Sequence, residues 1–401
     1  MNRVADYDVV IVGAAIAGLT LACHLMDSGL RIAILTKDDQ ASSAKGASSL
    51  SSQLRVIAIT LGTQQLLEKL QVWQRLPVEQ LAPFRSLQVW ESAKQANIFF
   101  DSAELGQATL GYILKNQDLQ QALLAQVKTD EKINWFSPDG LIDMAQEPHQ
   151  MRLTLVSGVS ITTSLVIGAD GMHSSVRQLA GLPVNSSDYN QSALIATVRT
   201  KLAHGEIARQ IFLPTGPLAF LPLADPYCCS IVWSTTPEEA QRLKELSDPL
   251  FCSELARAFE QQLGDIESTS PRLSFPLKTQ QAEQYIKPGI ALIGDAAHVM
   301  HPLAGQGANL GMADADCLAR VILVAKRKQR SFSALHTLRA YERQRRYYNR
   351  LMNSSVDGIK YLFATQNPLL LKTRQFGLSA LNKIPALKNI IARYAMGNPS
   401  T

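Results

Sequence analysis

The chain opens on Asp8-Val-Val-Ile-Val-Gly13, a continuous apolar run of the kind a strand buried on both faces requires. After Gly13-Ala-Ala-Ile-Ala-Gly18, the residues Leu19, Ala22, Leu25 and Met26 recur at helical spacing, and Gly29 closes the helix. Leu30-Arg-Ile-Ala-Ile-Leu35 then reads as a second strand, so the chain begins as a βαβ unit whose crossover is expected to be right-handed. Residues 7–26 are apolar enough to suggest a membrane span. Asp8 and His24 interrupt the run and Gly13 and Gly18 punctuate it, so strand, turn and helix fit better.

Residues 37–53 have no apolar period and are rich in Ser, Ala, Gly, Gln and Asp, which predicts a loop long enough to be functional. Residues 110–127 read as a strand running into a helix. Leu153-Thr-Leu-Val and Ile161-Thr-Thr-Ser-Leu-Val-Ile167 predict a hairpin about Ser157-Gly158 that feeds the turn Gly168-Ala-Asp-Gly171. From about residue 193 to 234 the character changes to alternating β segments, with Pro214-Thr-Gly-Pro217 as a turn signal, so a second and mostly antiparallel sheet is expected. A helix follows, with Thr236 as N-cap, Pro237 in its first position and Glu239 completing a capping box. Ile290-Ala-Leu-Ile-Gly294 returns to the buried-strand pattern, so the first domain is expected to be discontinuous with the second sheet inserted.

Composition narrows the class. Of 401 residues, 46% are hydrophobic and 18% charged, which excludes a disordered chain. The net charge of +5 is unevenly distributed: from Lys326 onward, fifteen Lys and Arg face only Glu342 and Asp357, giving +13 and leaving the first 325 residues at −8. Five scattered cysteines with no C-x-x-C pair argue for a reducing compartment and against a disulfide framework or a zinc site. Neighbouring Cys228 and Cys229 would point to opposite faces of a strand. The N-terminus lacks a signal-peptide pattern, so a cytoplasmic protein is the simplest expectation.

Three segments carry candidate chemistry. Gly13-Ala14-Ala15-Ile16-Ala17-Gly18 follows the G-x-G-x-x-G spacing that brings backbone N–H groups and a helix N-terminus to a pyrophosphate, with Ala15 where the middle glycine stands. Thr36 ends the second strand, where an acid would hold ribose hydroxyls, and Asp38 and Asp39 follow it. By itself this turn fits a nucleotide site and an ordinary α/β turn equally well. The second segment, Gly168-Ala-Asp170-Gly171-Met-His173-Ser-Ser-Val-Arg177, sets an acid and two glycines at a strand-to-helix turn. The third runs from Gly294-Asp295 through His298, His301-Pro302, Gly305-Gln306-Gly307-Ala308-Asn309 and Gly311 to Asp314. Asp295 at a strand end can accept hydrogen bonds from sugar-like hydroxyls, and the helix start after Gly305 favours negative charge such as that of a reduced flavin ring.

Together these motifs resemble the FAD-dependent aromatic hydroxylases, the group A flavoprotein monooxygenases with a p-hydroxybenzoate hydroxylase-like fold. Within that family the segments Gln53-Leu-Arg55-Val-Ile-Ala-Ile59, Ala208-Arg-Gln-Ile-Phe212, Leu218-Ala-Phe-Leu-Pro222 and His301-Pro-Leu-Ala-Gly-Gln-Gly307 are most similar to the ubiquinone-biosynthesis hydroxylases of the 2-polyprenylphenol hydroxylase type. The resemblance implies an α/β fold: a discontinuous Rossmann-like FAD-binding domain (1–70, 101–185 and 280–325), an inserted mostly antiparallel substrate domain (71–100 and 186–279) and a basic C-terminal helical region (326–401). It also implies FAD, NAD(P)H as co-substrate, O2, and oxygen transfer from a flavin C4a-hydroperoxide to the ring of a polyprenylphenol-type lipid.

Carried over residue by residue, Gly13, Ala15 and Gly18 would meet the pyrophosphate, Thr36 the ribose side and Arg55 the FAD. Asp170 would belong to the second nucleotide motif and Gly294 and Asp295 would bind the ribityl–pyrophosphate portion. Pro302, Gly305, Gln306, Gly307, Ala308 and Asn309 would position the flavin ring, with no acid or base among them. Ala15 and Thr36 depart from the family pattern, as does Lys115 where glutamate is common, with Asn116 beside it where the wider group often has arginine. These changes predict an active enzyme that binds FAD loosely; a hydroxylase of soluble aromatic acids and a flavin-poor scaffold subunit stay open beside it. His298 and His301 are expected to serve their turn or the flavin side, without a metal. Arg199 and Arg209 are expected to be solvated, and Phe212, Phe220 and Trp233 to be core. The basic C-terminal region reads either as a solvated helix face docked on the protein's own surface or as a module at a membrane surface, the inner membrane included, or against other ubiquinone-biosynthesis proteins or a second copy of the chain, with no nucleic acid.

Overall fold

The computed structural model describes residues 5–38, 53–91, 97–300 and 307–364. Strand Tyr7–Val12 lies at the centre of a parallel sheet, between Ile32–Leu35 and Ser160–Gly168. Ile290–Leu292 extends the sheet beyond Ser160–Gly168, and Asn134–Phe136 beyond Ile32–Leu35, again in parallel. The apolar runs end in register: Val12 lies opposite both Leu35 and Gly168, and Gly168 opposite Leu292. Residues 9–12 and 32–35 are fully buried because helices cover the sheet, which is why the sequence needed no polar alternation there. The expected hairpin forms between Gln150–Leu155 and Ser160–Gly168, and Leu141–Glu147 adds a third antiparallel strand.

The second sheet is built on the long strand Val184–Thr200, antiparallel to both Cys228–Thr235 and Leu273–Ala282. Ile207–Leu213 and Gly216–Pro222 pair through Leu213 and Gly216, so Pro214 and Thr215 alone make the turn. Ser86–Glu91 joins by parallel pairing with Ile207–Leu213 and carries Asn97–Asp101 outside it. One face of this sheet forms a second core, in which Leu194, Ile211, Phe220 and Trp233 pack on Leu243, Phe251 and Leu255 of helices Pro237–Glu245 and Asp248–Ala258. Phe220 stacks on Phe259 with ring centroids 3.7 Å apart, and Phe212 is buried as well. Cys229 is buried while Cys228 is half-exposed, as their alternation required. Arg199 is exposed and paired with Asp225, but Arg209 is partly buried, its Nη1 donating to the His204 carbonyl at 2.7 Å.

One local expectation changes. The Thr236 hydroxyl does cap its helix by accepting the Glu239 N–H at 3.3 Å, but the Glu239 carboxylate turns to Arg242 at 2.8 Å, a stronger charged partner than the N–H of a capping box. The expected strand forms as Gly111–Lys115, outside the parallel sheet. It forms a separate three-stranded antiparallel sheet with Val56–Thr60 and Ala82–Phe84 and leads directly into helix Asn116–Val127.

The last described helix, Leu335–Ala364, is not a detached layer. Leu338 and Tyr341 are fully buried in the same core as the parallel strands, and the helix packs along Gly307–Arg327. Among the described residues, no helix is long and apolar enough to cross a membrane.

Candidate functional site

Because the central strands end in register, three glycine turns lie side by side at their carboxyl ends. The Gly13 N–H donates to the Leu35 carbonyl at 2.8 Å, the Ala169 N–H to Val12 at 2.8 Å and the Ile293 N–H to Gly168 at 2.9 Å. Gly13 has φ +111, and a Cβ there would stand 2.3 Å from the Ala169 carbonyl oxygen. At Gly18 a Cβ would lie 2.0 Å from the Gly13 oxygen, so helix Ile16–Leu25 can approach its own strand only through glycine. Gly294, at φ +59, faces the Ala17 methyl, which brings the third turn against the first. Sheet ends of this kind, with helices starting from them, form the usual ligand crevice of open α/β folds.

Ala15 occupies the N-cap of helix Ile16–Leu25 in an ordinary extended conformation, exposed, with no side-chain cap on the free N–H groups behind it. Thr36 is buried, and its hydroxyl accepts the Asp38 N–H at 3.3 Å, which closes the strand end. Arg55 is exposed with its guanidinium 5.0 Å from the centre of the Phe275 ring, while its carbonyl accepts the Asn116 N–H at 2.9 Å. Lys115 is exposed at the start of that helix. Asp295 reaches solvent, yet crowding by protein raises its carboxyl above the ordinary range against the pull of His298 and Arg55. Gly307 and Ala308 are half-buried at the start of helix Gly307–Arg327. Pro302, Gly305 and Gln306 lie outside the described residues, as do His301, Asp39 and most of the serine-rich loop.

Two expected ligands are engaged by the protein itself. The Asp170 carboxylate accepts the Ser174 hydroxyl at 2.5 Å and the N–H groups of Ser175 and Val176 at 2.6 and 3.2 Å, so it caps helix Ser175–Leu179. Asn309 is buried, its amide donating to the Ala58 carbonyl at 2.7 Å and accepting the Thr60 N–H at 3.3 Å. It ties the flavin-side helix to the strand that follows Arg55.

Other residues of the site were given no role by the sequence, although Arg177 and Asp314 lie within its second and third motifs. Gln120 donates to the Ala14 carbonyl at 3.2 Å, linking helix Asn116–Val127 to the first glycine turn. Arg177 is buried and bridges two turns, donating to Ala296 at 2.9 Å and to Met172 at 2.6 Å. Asp314 is the centre of a buried polar cluster. Its Oδ2 accepts the Gly294 N–H at 3.1 Å and pairs with His298 Nε2 at 2.5 Å, while Oδ1 accepts Arg345 Nε at 2.6 Å and Asn349 Nδ2 at 3.2 Å. Burial alone would raise the Asp314 carboxyl; His298 and Arg345 overcome that and hold it at about 2. Thus His298 supports its turn through a carboxylate sixteen positions later, and Arg345 points inward from a run that reads as a solvated basic face. No group of three or more metal-ligating side chains occurs among the described residues.

The family described as FAD binding domain matches residues 6–353. Along almost its whole length the chain is 35% identical, over 390 residues, to 3-demethoxyubiquinol 3-hydroxylase of Escherichia coli strain K12, covering 97% of this chain and 98% of that protein. The chain belongs to the FAD-dependent hydroxylases of ubiquinone biosynthesis. A second relative of the hydroxylase, Ubiquinone hydroxylase UbiL of Rhodospirillum rubrum, is 33% identical over 397 residues, covering 99% of this chain and 90% of that protein. In fold the hydroxylase is similar to p-nitrophenol 4-monooxygenase PnpA from Pseudomonas putida DLL-E4, with a TM-score of 0.78, 18% identity and 98% of each chain covered.

The hydroxylase is therefore a flavoprotein monooxygenase with FAD as cofactor and NAD(P)H as the reductant typical of its family. The residues present fit a dinucleotide. The first helix presents an uncapped, exposed N-terminus, with no room for a side chain at Gly13 in the turn before it or at Gly18 in its own first turn.

Proposed function

We propose that the hydroxylase oxidises the aromatic ring of a polyprenylated phenol on the way to ubiquinone. The observation that carries this reading is that three glycine turns lie side by side at the carboxyl ends of the parallel strands in a chain similar over nearly its whole length to 3-demethoxyubiquinol 3-hydroxylase. Bound FAD supplies the redox chemistry, accepting electrons from NAD(P)H and activating O2 for transfer of one oxygen atom to the ring. The chain's own residues bind, orient and exclude water. In this reading the free N–H groups at the start of helix Ile16–Leu25, within the Gly13 to Gly18 motif, hold the pyrophosphate, Thr36 lies on the ribose side, and Arg55 and Asp295 hold the middle of the cofactor. The start of helix Gly307–Arg327, with Gly307 and Ala308, places positive backbone charge at the flavin ring. Pro302, Gly305 and Gln306 precede it in the sequence. Asp170 and Asn309 act as braces of their turns, since their polar atoms are already engaged.

Deleting the gene and identifying the accumulated quinone precursor by mass spectrometry tests the substrate class. A prenylated ring lacking one hydroxyl is expected, and no accumulating precursor would defeat the reading. Asp295→Ala separates enzyme from scaffold: the enzyme loses cellular function, a scaffold keeps it.

We further infer that the outer face of helix Leu335–Ala364 meets an anionic membrane surface. Arg339, Arg343 and Arg350 are exposed there beside Tyr347, which is 73% exposed. Reversing the three arginines to glutamate should abolish sedimentation with anionic liposomes; undiminished binding would remove this part of the proposal.

A further inference from the structure

Buried ion pairs are poor devices for stability, because an apolar replacement of equal volume often does as well. The Asp314–Arg345 pair therefore calls for another account. Arg345 comes from the C-terminal helix and, besides Asp314, binds the Leu310 carbonyl at 3.3 Å and the Asn349 side chain at 3.0 Å. Asp314 is completely buried and receives donors on both oxygens, two from the turn that carries Asp295 and two from the C-terminal helix. Only an ionised carboxylate suits that place, since an amide would turn its NH2 against donors on one side or the other. Of the two turn groups, one is the N–H of Gly294, whose positive φ directs the chain into Asp295, and the other is His298 on the far side of the same turn.

We propose that Asp314 is a positioning residue that fixes the Gly294–His298 turn, and with it the Asp295 carboxylate, for the cofactor, and that Arg345 keeps Asp314 aimed. The C-terminal helix is then part of the cofactor site without touching the cofactor. This deepens, and rests on, the reading of Asp295 as a cofactor ligand.

Dilution of the full-length holoenzyme, followed by the fluorescence of released FAD, gives the Kd for the parent, Asp295→Ala, Asp314→Asn and the double variant. Each single variant is expected to bind FAD at least about tenfold more weakly, and the double variant no more weakly than the worse single one, because Asp314 acts through Asp295. Asp314→Asn binding within about twofold of the parent overturns the proposal. So do losses that multiply in the double variant, the pattern of a general structural defect. Unchanged affinity in Asp295→Ala overturns the underlying reading and the proposal with it. Should Asp314→Asn fail to fold, His298→Phe removes one donor and leaves the ion pair. A severalfold loss, non-additive with Asp295→Ala, then supports the proposal and parent-like binding overturns it.

Discussion

Ala15→Gly should tighten FAD binding without stabilising the protein. The residue sits at the N-cap of the first helix with φ −85 and ψ −178, a conformation open to alanine and glycine alike, so the substitution relieves no backbone strain. Glycine loses roughly 0.5–1 kcal/mol to its freer unfolded chain. At an N-cap, however, glycine is preferred over alanine by a comparable amount. The two effects nearly cancel, and the thermal midpoint of the cofactor-free chain should move by no more than about 3 °C. The methyl group is exposed on an uncapped helix end, where a diphosphate must come close to use the free N–H groups. Removing it allows one further charge-assisted hydrogen bond, worth about 1.5 kcal/mol. That corresponds to a roughly tenfold lower Kd, measured from FAD released on dilution. A variant with the parent's Kd would refute the idea that this methyl crowds the cofactor and, with it, the expectation that the departure at Ala15 loosens FAD.

Other outcomes follow from the same structure. Gly18→Ala would drive a Cβ to 2.0 Å from the Gly13 carbonyl oxygen, a backbone atom that cannot swing away. It should cost about 3 kcal/mol and leave the purified protein without flavin absorbance. Asp314 lies below its ordinary 3.8, at about 2, so its contribution to stability is complete above pH 3.8 and is lost as pH falls through about 2. The full effect is roughly 2 kcal/mol, and urea unfolding across that range should show an acid limb that Asp314→Asn flattens. Phe220→Ala removes a fully buried ring stacked on Phe259 and should cost about 4 kcal/mol in thermal or urea unfolding. The folded variant should keep FAD, because that core lies behind the second sheet, and loss of flavin from it would contradict the separation of the two cores.

The central strands were legible because full burial on both faces leaves an unmistakable apolar run, as in Val9–Val12 and Ile32–Leu35. The glycine turns were legible because close backbone approach excludes any other residue at Gly13 and Gly18. Gly111–Lys115 was legible as a strand but not as a member of a third sheet, since its partners Val56–Thr60 and Ala82–Phe84 are set by tertiary pairing. Asp170 and Asn309 show the limit of motif reading: the spacing marks where a polar side chain must stand, not whether a ligand or the protein receives its hydrogen bonds. Arg345 lay hidden for a related reason. Its neighbours Arg343 and Arg350 are solvated, and only a carboxylate thirty-one positions earlier turns it inward.

The inward turn of Arg345 also governs how the protein can be cut. Composition suggests a natural break near residue 325, between the acidic body and the basic remainder. A chain truncated there would lose Leu338 and Tyr341 from the core and Arg345 and Asn349 from the support of Asp314. Such a fragment would fail in any assay of membrane attachment, and the failure would say nothing about membranes. Removal of the tail and detachment from lipid are different operations in this fold, and only charge changes on the solvent side of the helix perform the second without the first.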